Sequence, residues 1–338
     1  MRHLSSPPRI LLAGLLSLAV LLLAGAAMPK WLLFLATMAA ANGLVSLGIV
    51  LLMRSGVVSF GQGLVFAIGG YTAALAFGKL GITDALLLAL AGGALSALVA
   101  APFAWPIARY RGIFFAMLSL ALSMVLYGLL VKSEAMGGSD GFNMGRPTLL
   151  GRQATGELSG QLIYAVTVVL ATVAATLARI YCASTRGLVA LAARDNEIRV
   201  EYLGSSVQDL IAGNFVIAAF LGGMGGALSV MALGHVEPEF AYWTRSGDFV
   251  FVAILSGHHS MLAVFVASTL LEIVRSFSSA YFPNTWQLAL GIFLLAVIRF
   301  LPNGIGSLWL RARRADHSDA QAGGARTSSA AAEKGAGA

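Results

Sequence analysis

The sequence predicts an all-α integral membrane protein of about ten transmembrane helices, with one pair short or re-entrant. Three observations predict it. The 338-residue chain is 58% hydrophobic and 11% charged, whereas soluble domains carry about 25% charged residues; its mean hydropathy is +0.83. Its apolar residues fall in runs long enough to cross a bilayer, bounded by charges or turn signals. Its Arg and Lys residues sort to alternate ends of those runs.

The runs follow in order. Ile10–Met28 closes at Pro29-Lys30, and Trp31–Met53 closes at Arg54. A third begins after Ser59-Phe60-Gly61-Gln62-Gly63 and reaches Gly78. Ala85–Ala108 and Gly112–Val131 flank Arg109 and Arg111. Leu162–Tyr181 and Leu210–Leu233 flank the polar segment Cys182–Asp209. The region Phe249–Phe277 breaks at Ser256-Gly257-His258-His259-Ser260, and Leu288–Leu301 closes at Pro302-Asn303-Gly304. With the N-terminus in the cytoplasm, Arg54, Arg109, Arg111, Arg179, Arg186, Arg194 and Arg199 fall inside. Lys30, Lys79, Lys132, Arg146, Arg152 and Arg245 fall outside. The tail residues Arg311, Arg313 and Arg314 also favour the inside, which requires an even number of crossings. Phe249–Phe277 therefore counts twice.

Residues 1–9 then form a cytoplasmic N-terminus and 10–310 the membrane domain. Residues 311–338, rich in Ala, Gly and Ser, are expected to be disordered. Ile10–Met28 has a competing reading as a cleaved signal peptide, from Ala24-Gly25-Ala26.

Composition also excludes functions. The net charge of +7 is scattered between apolar stretches rather than gathered on one face, so topology explains it and nucleic-acid binding does not. The one cysteine, Cys182, allows no intrachain disulfide. No G-x-x-x-x-G-K-[ST] loop occurs, so any ATPase of that type lies on another chain. His258 and His259 are adjacent and point about 100° apart on a helix, which suits packing better than a metal. No convergent catalytic set is present, so no catalytic or metal residue is assigned. Gly222-Gly223-Met224-Gly225-Gly226 lies inside an apolar run and reads as helix packing rather than nucleotide binding. Ionisable residues within the runs are few. Glu272 and Arg275, at i and i+3, are placed to pair with each other, Asp248 sits at the entry to its run, and Arg299 is placed to snorkel. The scarcity of a mid-span acid disfavours a stand-alone secondary carrier or channel, the alternative reading.

The segment 186–204 is longer than a connection requires and has helix-forming content closed by Gly204. A short amphipathic helix there could dock on a soluble partner.

Several separated stretches together resemble the permease subunits of branched-chain amino acid ABC importers, from about Asn42 to Gly306. They are Ser59-Phe60-Gly61-Gln62-Gly63 with Gly69-Gly70-Tyr71-Thr72-Ala73, then Tyr110-Arg111-Gly112-Ile113-Phe114-Phe115-Ala116-Met117. Gly137-Gly138-Ser139-Asp140-Gly141, the 186–204 segment with Arg194-Asp195-Asn196-Glu197, and Trp286–Gly291 with Phe300-Leu301-Pro302-Asn303-Gly304 follow in the family's order. The match resembles the LivM-type member of the permease pair. The resemblance implies a bacterial inner-membrane importer with a second permease subunit, two ATPase subunits carrying ATP and Mg, and a periplasmic solute-binding protein. This chain would bind no cofactor and contact membrane lipid. The resemblance places the cytoplasmic coupling helix in loop 182–209, with Arg186, Gly187, Arg194, Asp195, Glu197 and Gly204 as its site residues. Asn42, Ser59 and Gln62, polar within or beside spans, are the translocation-pathway candidates. The chain departs from the family at Gly257-His258-His259-Ser260-Met261-Leu262-Ala263-Val264, where a glycine-rich stretch with a later Gly-Pro is usual. The solute therefore stays open among leucine, isoleucine and valine, urea, amides and aromatic acids.

Overall fold

A computed structural model describes residues 7–149, 157–257, 260–281, 285–300 and 304–306. His258, His259, Arg152 and the tail from 307 lie outside the described residues. Twelve helices are described: α1 (Pro7–Ala27), α2 (Lys30–Arg54), α3 (Gln62–Leu80), α4 (Ala85–Ile107), α5 (Gly112–Lys132), α6 (Glu157–Ala183), α7 (Thr185–Asp195), α8 (Glu197–Tyr202), α9 (Val207–Leu233), α10 (Trp243–Ser256), α11 (Met261–Tyr281) and α12 (Trp286–Phe300). Eight of them are long and apolar enough to cross a membrane. With the shorter α10 and α12 the count is compatible with about ten membrane segments. The split in Phe249–Phe277 is present, but only its first half is short: α10 has 14 residues and α11 has 21.

The bundle is built around α9. It packs against α2, α3 and α4, and its glycines make those contacts possible. A Cβ on Gly223 would strike Ser96 and the Gly92 carbonyl of α4, and one on Gly226 would strike the Phe66 backbone of α3. Gly222 lies under Gln62 and Val65, and Gly225 under the Ala41 carbonyl of α2. From α3, Gly69 meets the Gly223 backbone. Small residues permit this close approach, which in lipid replaces hydrophobic expulsion as the source of helix association. Ser96 Oγ donates to the Val65 carbonyl at 2.9 Å, tying α4 to α3.

The contacts along α9 set depth. Asn214 Nδ2 donates to Ser55 Oγ at 2.6 Å just beyond the end of α2, while Gly48 packs on Ala218 and Gly225 on Ala41. Thus α2 runs antiparallel to α9. Gln62, at the start of α3, sits beside Gly222, about 22 Å along α9 from Val207 at 1.5 Å per residue. The helix itself is about 40 Å long. The third crossing is therefore broken: residues 57–61 climb through half the bundle without helical structure, and α3 begins near mid-depth.

A second crossing is broken in the opposite sense. After Gly234, in the left-handed region at φ +73°, strand β2 (His235–Val236) pairs antiparallel with β1 (Phe142–Asn143). A 3-10 turn, Pro238–Ala241, follows. The chain descends along α3: Val236 lies near Gly70, the Phe240 ring is 5.2 Å from Phe66, and Ser246 meets Gly63. Then α10 continues towards the end of the bundle that holds α7 and α8, here the connector end. The expectation that Arg245 falls outside is corrected. Residues from Trp243 onward are helical and within the bundle, because neighbouring elements supply partners for their polar groups. Helix α11 returns alongside α2, with Phe265 at Gly43 and Ser268 Oγ donating to the Ala39 carbonyl at 2.7 Å. After α12 the chain reaches α10 again, where Ile305 N donates to the Leu255 carbonyl at 2.8 Å.

Replacing Gly69 with Val should cost about 3 kcal/mol or more, by overpacking against backbone that cannot retreat. Gly78→Ala, with nothing near its added methyl, should be neutral or gain about 0.5 kcal/mol. Thermal retention of the monodisperse peak in detergent separates the two.

Candidate functional site

Two places in the bundle depart from plain helix packing: the mid-depth junction of the broken crossings, and the connector between α6 and α9.

At the junction, irregular backbone lies at membrane depth, where unpaired N–H groups cost several kcal/mol each. Hydroxyls satisfy them. Phe60 N donates to Ser119 Oγ at 3.1 Å, and Gly61 N donates to Ser59 Oγ at 3.1 Å. Gly63 N donates to Ser246 Oγ at 2.9 Å, joining the first turn of α3 to that of α10. Ser123 Oγ of α5 donates to the Ala241 carbonyl at 2.7 Å. Phe66 packs between the two crossings, 5.1 Å from the Phe249 ring. The pathway candidates gather in this half of the molecule. Asn42, Ser59 and Gln62 are all buried, and Asn42 Oδ1 and Gln62 Oε1 have no hydrogen-bond partner.

A charge cluster that the sequence left as separate residues assembles beside this junction. Asp248 Oδ2 is 3.3 Å from Arg275 Nη1 and 3.8 Å from Arg245 Nη1. Asn42 Nδ2 donates to Glu272 Oε2 at 3.2 Å. The expected Glu272–Arg275 pairing gives way to these inter-helix contacts, because α2 and α10 bring stronger-placed partners than the i+3 neighbour. Arg245 lies among the rings of Phe66, Phe249 and Phe240, 5.3–6.0 Å from their centroids. Ring faces and Asp248 together offset the loss of water around the guanidinium. Each such charge costs about 2.5–3.5 kcal/mol at the centre of an isolated span, so the grouping is what makes them tolerable. Sequence reasoning missed Arg245 because Trp243–Gly247 reads as a loop; a period-3.6 alignment of Trp243, Gly247 and Phe251 was the signal available.

The connector is two helices rather than one. Ser184 caps α7 through Gly187 N, and Asn196 breaks the run and caps α8, its Oδ1 accepting from Arg199 N at 3.0 Å. Gly204 follows α8 at φ +83°, in the left-handed conformation expected of a helix-closing glycine. Gly187 is buried against Tyr181 and Cys182, where a Cβ would strike backbone. Arg186, Arg194 and Asp195 are exposed. Glu197 points inward: Arg111 Nε donates to both its carboxylate oxygens at 2.8 Å. That bond bolts the connector to the start of α5. Ala193 and Val200 share a buried cluster with Val57, Ile107, Phe115 and Val207, and Gly56 packs against Arg194. On the outer surface, Ile198, Tyr202 and Leu203 are exposed, Tyr202 by 88%.

Residues 31–298 match the family model described as branched-chain amino acid transport system / permease component. The chain belongs to this family. It is 27% identical over 294 residues to the high-affinity branched-chain amino acid transport system permease protein LivM of Salmonella typhimurium, covering 80% of this chain and 69% of that protein. It is 26% identical over 273 residues to LivM of Escherichia coli, covering 74% and 64%. With BraD of Pseudomonas aeruginosa it shares 27% over 268 residues, covering 74% and 86%. The match thus spans about two thirds of each LivM relative. No solved structure matches. Family membership makes the chain a multi-pass transport component rather than an enzyme, and favours the permease reading over the lone carrier or channel. LivM-type permeases belong to ABC importers that function with ATPase and binding-protein partners.

Arg245→Ala should cost about 3 kcal/mol, since it empties the space among the Phe66, Phe240 and Phe249 rings and removes one of the two guanidinium partners of Asp248. Arg245→Met, which refills the space among the rings, should recover part of that loss. Melting temperatures of the two variants in detergent give the comparison.

Proposed function

We propose that this chain is the membrane permease of an ATP-driven importer for branched-chain amino acids in a bacterial inner membrane, with a second permease subunit as its partner. The solute arrives from a periplasmic binding protein, and two ATPase subunits, carrying ATP and Mg, drive the cycle. The connector end is cytoplasmic: Arg54, Arg109, Arg111, Arg179, Arg186, Arg194 and Arg199 lie there, and the positive-inside rule assigns such an end to the cytoplasm. Ten crossings put both termini on that side.

One observation carries the coupling role: the connector is fastened to the bundle yet displays an apolar knob to water. Ile198, Tyr202 and Leu203 are too exposed for a solvated face of their type. They lie beside Arg194, Arg199 and Glu201, which form a charged rim. An ATPase groove would bury this knob. Arg186, Arg194 and Asp195 belong to the docking surface, Gly187 and Gly204 shape the connector, and Glu197 holds it through Arg111.

The same cluster explains how movement would reach the solute. Val57 opens the irregular segment 57–61 and shares its buried cluster with Ala193 and Val200 of the connector. That segment ends at Gln62, the start of α3. Displacing α7 and α8 would shift the junction where Ser59 and Gln62 lie, a rigid-body route to alternating access.

Tyr202→Asp combined with Leu203→Asp should abolish co-purification with the ATPase subunits while the permease stays monodisperse. Arg194→Glu should weaken it. Retention of the ATPase by the double variant would overturn the coupling role; wild-type protein that moves leucine into liposomes without ATP would overturn the importer.

A further inference from the structure

The more exposed side of α10 is a stripe of Trp243, Thr244, Phe251 and Ile254, with Gly247 and Asp248 half-buried along it, at helical spacing. Its upper half lies at the mid-depth junction, since Ser246, between these residues, meets Gly63 at the start of α3. The Asp248–Arg275 pair opens onto that side: the two side chains keep 22% and 28% of their surface exposed, against 12% for Arg245 behind them. Aromatic rings border it, with Tyr127 5.0 Å from Tyr242 and Tyr242 6.0 Å from Trp243. Hydrocarbon is a poor neighbour for an ion pair at this depth, and polar residues inside membranes face protein or water. Non-helical backbone meets the same condition, being tolerated where it is buried or lines a wet cavity. Two helices, α3 and α10, that start at one level and run in opposite directions form such a place.

We propose that this stripe faces a water-filled translocation pathway and that the Asp248–Arg275 pair is the midway station for a small zwitterion. Arg275 receives the carboxylate and Asp248 the ammonium, and Trp243 with Tyr127 borders the apolar side chain. The balance of charge disfavours free ions, and the paired opposite charges favour a zwitterion over an uncharged amide or urea. Arg245, Asp248, Glu272 and Arg275 sum to zero on α10 and α11, so a zwitterion adds no net charge to a site of low dielectric, whereas a free anion or cation does. Arg245, anchored under three rings, holds Asp248 in place while Arg275 exchanges partners. The amino-acid identity of the solute rests on the function proposed above; the wetness of the stripe does not.

The test uses the assembled transporter in membranes, in a Cys182→Ser background. Thr244→Cys on the stripe is compared with Leu16→Cys on the outer face of α1, using a charged, membrane-impermeant methanethiosulfonate reagent. Thr244→Cys should react about tenfold or more faster, because the reactive thiolate forms in water and not in lipid. Asp248→Asn and Arg275→Gln should each cut ATP-driven leucine uptake about tenfold or more, by leaving a polar group of the solute unpaired, while the complex keeps all its subunits. If Thr244→Cys reacts no faster than Leu16→Cys, the stripe is dry and the proposal fails. It also fails if the neutral variants shed a subunit and the exchange Asp248→Arg with Arg275→Asp restores it, for the pair is then a subunit clamp. A wild type that binds no ATPase, or takes up no leucine, counts against the importer reading alone; the labelling contrast still decides whether the stripe is wet.

Discussion

The close approach of α9 to α2, α3 and α4 is the constraint on which the rest of the bundle depends. Gly222, Gly223, Gly225 and Gly226 leave the helix nearly bare over one turn, and three neighbours use the space with backbone and short side chains. Lipid offers no hydrophobic gain for helix association, so van der Waals fit must supply it. That fit also fixes depth. Once Gly222 receives Gln62 and Gly226 receives Phe66, α3 has to start at mid-height, and residues 57–61 must cover the distance from α2 without helical hydrogen bonds.

The broken crossings follow from that placement. Irregular backbone inside a membrane needs partners for its polar groups, and serines provide several: Ser119, Ser59 and Ser246 accept from Phe60, Gly61 and Gly63 respectively. Serine is short enough to bond backbone without forcing helices apart. The two crossings hold each other open at the same level. Breaking both there creates a region where charged and polar side chains of α2, α10 and α11 meet. The ion cluster and the junction are thus consequences of a single arrangement.

The connector is fastened to this arrangement at two points. Two short helices, capped by Ser184 and Asn196, share a buried cluster with Val57 and a carboxylate–guanidinium bond with Arg111. A partly exposed ion pair of this kind contributes about 1 kcal/mol to stability, so its value lies in orientation. It keeps Tyr202 and Leu203 facing outward while Val200 faces in. A push on the outer residues therefore has a short mechanical path to Gln62.

Much of the fold was legible in the sequence, for physical reasons. Lipid exposure demands long apolar runs, and the eight helices long and apolar enough to cross a membrane fall on runs read from the sequence. The glycine run 222–226 announced close packing. Gly204 announced a helix end, because only a residue without Cβ accepts φ +83° cheaply. Arg186–Gly204 was recognisable as an excess of ordered polar chain. Asn196 as an internal break was less visible, since its cap depends on one side-chain rotamer. Arg245 was misplaced outside the membrane because a charged, polar first turn resembles a loop until partners are known. The pairing of Asp248 with Arg275 and of Glu272 with Asn42 joins residues 27 and 230 positions apart, and no local pattern encodes such distances. The sequence by itself determined a membrane-crossing helical bundle and its family, because burial in lipid and helix termination are local demands. Only the tertiary structure decided where the helices break and which charges meet, because depth and pairing are set by how closely separate helices approach.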